Sequence, residues 1–179
     1  MKRILVIGAN ASGKTTFSRR LAQAMNLPLV HLDKLFWRDN WSHASDAEFD
    51  ELLLKELVKP AWIIDGNISR TLPLRLTYCD AVIWFDFYRA RCLWGAVRRV
   101  IRHYGKSRAD MGGHCPERFD FAFLKTILFS HGKNRARFRR LLRGADGVRV
   151  IRVRTRRDAE RVLGGVGFQK CRGTKAVGK

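Results

Sequence analysis

Gly8-Ala9-Asn10-Ala11-Ser12-Gly13-Lys14-Thr15 is the stretch on which the fold turns. Its spacing is that of a complete Walker A phosphate loop. Immediately before it, Ile4-Leu5-Val6-Ile7 is a continuous apolar run of the kind a buried parallel strand needs. After it, Thr16-Phe17-Ser18-Arg19-Arg20-Leu21-Ala22 puts Phe17 and Leu21 on one face of a helix. A chance glycine-rich turn would not bring the strand, the lysine and the threonine with it. Such a loop wraps a polyphosphate with backbone N–H groups at a helix N-terminus, where the dipole favours anions. Gly8 and Gly13 allow the turn and the close backbone approach, Lys14 can reach the β- and γ-phosphates, and the Thr15 hydroxyl can ligate Mg²⁺. Gly8, Ala9, Asn10, Ala11, Ser12, Gly13, Lys14, Thr15 and Thr16 are therefore the expected contacts of ATP, with Mg²⁺ as its companion ion.

The rest of the chain fits one compact domain of 179 residues with an ordinary 46% hydrophobic content. No apolar run approaches the roughly 18 residues of a membrane span, and no membrane partner is expected. The first strand starts at Arg3, so no signal or transit peptide is expected ahead of it. Cys79, Cys92, Cys115 and Cys171 are widely spaced, which argues against structural zinc and for reduced thiols in a cytoplasmic, monomeric protein. Charge is divided unevenly. Residues 1–86 carry 11 Lys/Arg against 10 Asp/Glu, whereas residues 87–179 carry 25 against 6, and nearly all of the formal +20 sits there. That half suits anionic partners, from nucleotide phosphates to nucleic acid. Solvated helix faces in an arginine-rich chain, 25 Arg to 11 Lys, are the plainer account of it, since charge alone reports non-specific attraction.

Strand and helix signals alternate. Strands are expected at Arg3–Ile7, Leu29–Leu32 (ending at Asp33), Trp62–Ile64 (ending at Asp65-Gly66), Ala81–Phe85 (ending at Asp86) and Val148–Val153. Helices are expected over Lys14–Met25, a segment capped by Ser45 and Glu48 and stopped by Pro60, Thr71–Leu76, Ala90–His103, a long Phe121–Leu142, and Asp158–Leu163. This alternation predicts an α/β fold with a parallel five-stranded sheet, whose ligands bind beyond the carboxyl ends of the strands. Asp33, Asp65 and Asp86 stand at three such ends beside the phosphate loop. A single acid after a strand is often only a turn or cap residue, but bound Mg·ATP needs a carboxylate and an acceptor must be held in line.

The phosphate loop, His31-Leu32-Asp33, Trp62-Ile63-Ile64-Asp65-Gly66-Asn67-Ile68-Ser69-Arg70-Thr71, Phe85-Asp86-Phe87 and Asp110-Met111-Gly112 together resemble the adenylate-kinase-related P-loop proteins. Within them, the closest resemblance is to the branch labelled topology modulation protein. It covers roughly residues 1–165 and implies a nucleoside-monophosphate-kinase-like fold with strand order 2-3-1-4-5. It also implies a substrate-binding insert at about residues 34–60 and a short mobile lid at about 103–120; the basic, Gly/Lys-rich tail at 166–179 is expected from its composition to be disordered. By the same resemblance Asp65-Gly66 supports Mg²⁺ through water and Arg70 grips the acceptor. The sequence departs from the usual pattern, since Arg70 stands one position later and Asn67 replaces an aromatic. Asp33 matches the carboxylate that related small-molecule kinases set on the acceptor hydroxyl. Arg156 falls where the adenine ring would lie.

Residues 103–120 are too polar for core, and transferred phosphoryl charge calls for arginines supplied on closure. Lys14, Asp33, Asp65, Arg99, Arg102, Arg108 and Arg118 are the candidate catalytic residues; Asp33, Trp37, Gly66, Asn67 and Arg70 are the candidate acceptor contacts; Thr15 and Asp65 are the candidate metal supports. The expected activity is transfer of the γ-phosphate of ATP to a nucleotide or small molecule. The alternative is a nucleotide-dependent nucleic-acid-binding or regulatory protein that uses the basic half, with weak nucleic-acid affinity expected in either case.

Overall fold

The computed structural model describes the backbone of residues 1–172 and, Thr126 excepted, the side chains of residues 1–165. Strands β1 (Arg3–Gly8), β2 (Leu29–His31), β3 (Trp62–Asp65), β4 (Ala81–Phe85) and β5 (Arg149–Val153) form one sheet in the order β2-β3-β1-β4-β5. All pairings are parallel, and Leu5 of β1 faces Ile64 of β3 on one side and Val82 of β4 on the other. The order 2-3-1-4-5 anticipated above is the observed one. β1 is central, and this is why its apolar run is unbroken: Ile4 to Ile7 are all at most 2% exposed.

The helices are α1 (Lys14–Met25), α2 (Leu32–Phe36), α3 (Asp46–Leu57), α4 (Leu72–Tyr78), α5 (Arg89–His103), α6 (Phe121–Phe129), α7 (His131–Arg143) and α8 (Arg156–Arg172). One face of the sheet packs Leu5, Ile7, Ile64 and Trp84 against Phe49, Leu53 and Leu57 of α3 and Phe138 and Leu142 of α7. The other packs Ile4, Val6, Ile63 and Phe85 against Phe17 and Leu21 of α1, Cys92 and Ala96 of α5, and Ala159 of α8. The Ser45 cap is formed, its hydroxyl accepting from the Glu48 N–H at 3.2 Å.

Three elements differ from the sequence reading, the third being the last helix, expected over Asp158–Leu163 and found over Arg156–Arg172, so residues 166–172 are helical where disorder was expected. β2 ends at His31, and Leu32 and Asp33 already belong to the first turn of α2. Leu32 is fully buried there, under Gly66, so the chain turns helical one residue before Asp33. The long helix expected over Phe121–Leu142 is two helices that break at Ser130. The reason is geometric: Ile127 is buried on the α1 face of the sheet, whereas Phe138 and Leu142 are buried on the α3 face. A straight helix cannot serve both faces. The tail expected to follow residue 165 begins within α8, and its last part, residues 173–179, lies outside the described residues. Among the described residues no helix is long and apolar enough to cross a membrane.

Candidate phosphate-loop active site

Gly8 closes β1 with φ 128°, and a Cβ there would lie 2.2 Å from the Phe85 carbonyl oxygen, so only glycine fits. Ala9 N then donates to that oxygen at 3.0 Å, and the loop arches to Gly13, whose φ of 90° starts α1. Ser12 Oγ donates to Ala9 O at 2.7 Å across the arch. Lys14 folds back inside it, donating from Nζ to Gly8 O at 3.1 Å and Ala9 O at 2.7 Å. Burial lowers the pKa of this ammonium, while the charges of Asp65 and Asp33 work against that shift. Helix α5 backs the loop so closely that a Cβ on Gly95 would stand 2.3 Å from Ala11 O.

The carboxyl ends of β2 and β3 bring the acids to the same place. Asp65 is 5% exposed; its Oδ2 meets His31 Nδ1 at 3.2 Å, and its Oδ1 has no partner. Asp33, partly buried on the first turn of α2, has its carboxyl pushed above the ordinary range by burial and by the charge of Asp65; Arg108 and Lys14 pull the other way. Asp86 has a different part. Arg135 Nε lies 2.6 Å from its Oδ1 and Arg152 contacts Oδ2, so this carboxylate ties β4 to α7 and β5. An orphaned, buried Asp65 oxygen beside a phosphate loop suits an ion held through water. Among the described residues no group of three or more His, Cys, Asp or Glu could hold a metal ion.

Past the end of β3, Gly66 takes φ 146° to pass over Leu32, whose Cβ would be 2.7 Å from an added one. The turn that follows is held by Arg75 of α4, which is fully buried and donates to Gly66 O at 3.2 Å and Ile68 O at 2.7 Å. Burial brings its pKa down to about 10. Asn67 faces the phosphate loop, with its Oδ1 accepting from Gly8 N at 2.9 Å. Arg70 reaches across to α3, pairing with Asp50 at 2.7 Å and Asp46 at 3.2 Å. Trp37 packs edge-on against Phe36 and Trp41 in the insert. A cleft of about 200 Å³ opens beside Gly8 and Ala9, lined further by Asn67, Asp86, His131 and Arg135.

The lid is less polar inside than its sequence suggests: Asp110, Met111, Cys115 and Glu117 are all buried. Arg99 of α5 and Arg108 converge on Glu117 Oε1 at 3.1 Å and 2.7 Å, Arg108 also pairs with Asp110 at 2.7 Å, and Arg99 lies over the Phe123 ring. Burial lowers the pKa of Arg99. Arg102 and Arg118 are exposed on the same region, and Arg156 is exposed at the start of α8. The lid is joined to the insert: Gly112 N donates to Asp33 O at 3.4 Å, Asn40 N to His114 O at 3.0 Å, and Trp41 Nε1 to Pro116 O at 3.1 Å. Asn40 and Trp41 both take left-handed φ, 57° and 61°, to make that junction.

Of the candidate residues, Lys14, Asp33 and Asp65 are thus electrostatic neighbours, with Arg108 and Arg99 close enough to act on Asp33 and Lys14. Arg70 is drawn toward α3 instead. Sequence reading missed His31, Arg75 and Glu117. His31 lies in the motif His31-Leu32-Asp33 and its register partner across the sheet is Asp65, a pairing visible only once β2 and β3 are aligned.

The fold has known counterparts. The shikimate kinase of Acinetobacter baumannii, in complex with shikimate, matches with a TM-score of 0.55 at 14% identity, covering 98% of this chain and 96% of that one. The shikimate kinase of Aquifex aeolicus matches at 0.53 and 17%, covering 98% and 99%. A candidate kinase from Chloroflexus aurantiacus matches at 0.53 and 18%, covering 93% and 97%. These similarities establish a P-loop fold of the shikimate-kinase and nucleoside-monophosphate-kinase type. No protein-family profile and no curated protein matches the sequence, so the narrower resemblance to the topology modulation branch rests on the quoted motifs alone.

Proposed function

We propose that the protein is a cytoplasmic, monomeric ATP-dependent kinase that moves the γ-phosphate to a small hydroxylated or phosphorylated acceptor. One observation carries this reading: Lys14, bonded to the loop's own carbonyls, sits between the phosphate loop and the charges of Asp33 and Asp65. A triphosphate seated on the backbone N–H groups of residues 8–16 would draw the ammonium off Gly8 O and Ala9 O onto its β- and γ-oxygens. Thr15, and Asp65 through water, would hold Mg²⁺, which would neutralise charge on the phosphates when bound.

Asp33 orients the acceptor hydroxyl and takes its proton, a role helped by a pKa above the ordinary carboxylate range. Trp37 and Gly66 wall the acceptor, and Arg70 would have to leave Asp50 to bind an acceptor anion. Arg99 and Arg108 face the transferring group, with Arg102 and Arg118 supplied from the lid surface. Arg156 stacks its guanidinium on the base. The domain spans residues 1–165, with the insert and lid as bounded above.

The test is an acceptor screen with ADP formation as readout, across nucleoside monophosphates, nucleosides and small hydroxy acids. Acceptor-dependent ADP release by the wild type, absent in Lys14→Ala, is the expected result. Losing a charged contact of this kind weakens triphosphate binding about 10–100-fold. ADP release indifferent to Lys14→Ala would refute the assignment.

A further inference from the structure

From outside the phosphate loop, the Asn67 side chain makes three hydrogen bonds to it. Its Oδ1 accepts from Gly8 N at 2.9 Å, and its Nδ2 donates to Gly8 O and, at 3.0 Å, to Asn10 Oδ1. Strand register explains why a side chain does this. β1 and β3 pair from Arg3↔Trp62 to Val6↔Asp65, and Gly66 N still reaches Val6 O at 3.2 Å. One step further Gly66 swings the backbone away over Leu32, so no peptide group is left to face Gly8. A carboxamide carries the same donor and acceptor as a peptide, and Asn67 extends the ladder by one rung with its side chain. On its other flank Gly8 is paired with Phe85 of β4.

The Gly8 carbonyl is also an acceptor for Lys14 Nζ at 3.1 Å. Gly8 is buried, so its carbonyl oxygen needs a partner if the ammonium leaves. We infer that Asn67 is a positioning residue for triphosphate binding: it keeps the Gly8 carbonyl paired and the loop mouth in place when Lys14 moves from that carbonyl to the phosphates. This rests on the reading of residues 8–16 as a triphosphate site, though not on any acceptor or on turnover. Leucine at 67 would keep the bulk and lose every bond. The departing Lys14 would then leave a buried oxygen unpaired, and that cost would appear as lost affinity.

The experiment is a thermodynamic cycle on the full chain. ATPγS with Mg²⁺ is the probe, titrated to millimolar concentration by displacement of a fluorescent nucleotide. Wild type, Asn67→Leu, Lys14→Ala and the double variant are compared. Asn67→Leu should weaken ATPγS roughly tenfold in the wild-type background and by less than about twofold in the Lys14→Ala background, where no ammonium has to leave. Asn67→Asp keeps the acceptor for Gly8 N and sets an anionic oxygen against Gly8 O. It should weaken ATPγS as well, and it serves if the leucine variant does not fold. Equal losses in both backgrounds would mean a merely structural role and overturn the inference. So would full affinity in Asn67→Leu while Lys14→Ala is impaired. If Lys14→Ala alone keeps full affinity, the triphosphate site itself is misplaced and the inference falls with it.

Discussion

Gly112 of the lid lies flush against the backbone of Trp37 in the insert: a Cβ added to it would be 2.1 Å from the Trp37 carbonyl oxygen and 2.6 Å from that of Lys34. A Cβ on Gly113 beside it would be 2.6 Å from Asp39 N. Two segments about 75 residues apart in sequence are therefore fitted backbone to backbone, with Asp33 at the root of one of them. In a kinase of the proposed kind, closing over ATP and closing over the acceptor would be a single event.

Gly112→Ala should part this seam without disturbing the sheet. Amide exchange should quicken in residues 36–44 and 108–117 and stay unchanged in β1, β3 and β4. Overpacking of this sort costs about 1–3 kcal/mol. Unchanged exchange in both segments would show that the lid and insert are not held by this contact.

Glu117 is the buried anion that lets Arg99 and Arg108 lie side by side. Glu117→Gln leaves two inward guanidinium groups facing each other, at a cost of about 3 kcal/mol in chemical denaturation. Arg118→Gln, the exposed neighbour, should stay within about 0.5 kcal/mol of wild type. Equal effects would mean that the network adds nothing.

Asp33 gives a pH signature with a definite sign. Its native pKa is raised above the ordinary 3.8, so the folded state binds this proton more tightly than the unfolded one. Its contribution to stability is then full below the unfolded value and is lost as pH rises through the folded one. Asp33→Asn should unfold a few degrees higher than wild type at neutral pH, with the gap closing in acid. Turnover should fall about 10²–10⁴-fold. In the wild type, kcat/KM should decline toward acid on a limb lying above 3.8. Asp65→Asn should instead weaken Mg²⁺-dependent ATP use with every acceptor. Loss of Mg·ATP binding in Asp33→Asn alone would reverse the two assignments.

The basic half separates the two function classes. Arg135 of α7 turns inward to Asp86 and the exposed Arg137 bonds Ser69 O at 3.0 Å, while Arg139, Arg140 and Arg143 are exposed with neither contact. Changing these last three to glutamine should leave kinase turnover within about twofold. DNA retention should be weak and vanish before physiological salt, as counterion release dictates for non-specific contacts. Retention at physiological salt that disappears in this triple variant would favour the nucleic-acid reading.

Sequence carried the parts of the fold that local chemistry decides. The phosphate loop, the apolar run of the central strand and the Ser45–Glu48 cap each need only near neighbours, and each is found as read. What escaped depends on alignment between distant segments. His31 meets Asp65, and Asn67 meets Gly8, only because β2, β3 and β1 lie side by side. The break at Ser130 could not be seen from helical periodicity, since both halves are helical and only the sheet face they cover changes. The lid read as solvated because its buried members, Asp110 and Glu117, are charged; their arginine partners make burial tolerable.

The seam also contains a chemical clock. Cys115 is fully buried in it, donating its thiol to the Arg38 carbonyl at 3.0 Å. An alkylating reagent can reach that sulfur only while lid and insert are apart. If reclosing outpaces the reagent, the labelling rate of Cys115, followed site by site by mass spectrometry, is the open fraction multiplied by the intrinsic thiol rate. Cys79 and Cys92, buried in the two halves of the core with thiols pushed up to about 11, would mark global unfolding on the same time axis. One labelling series on the unmodified chain would therefore time the parting of this seam against the loss of the fold.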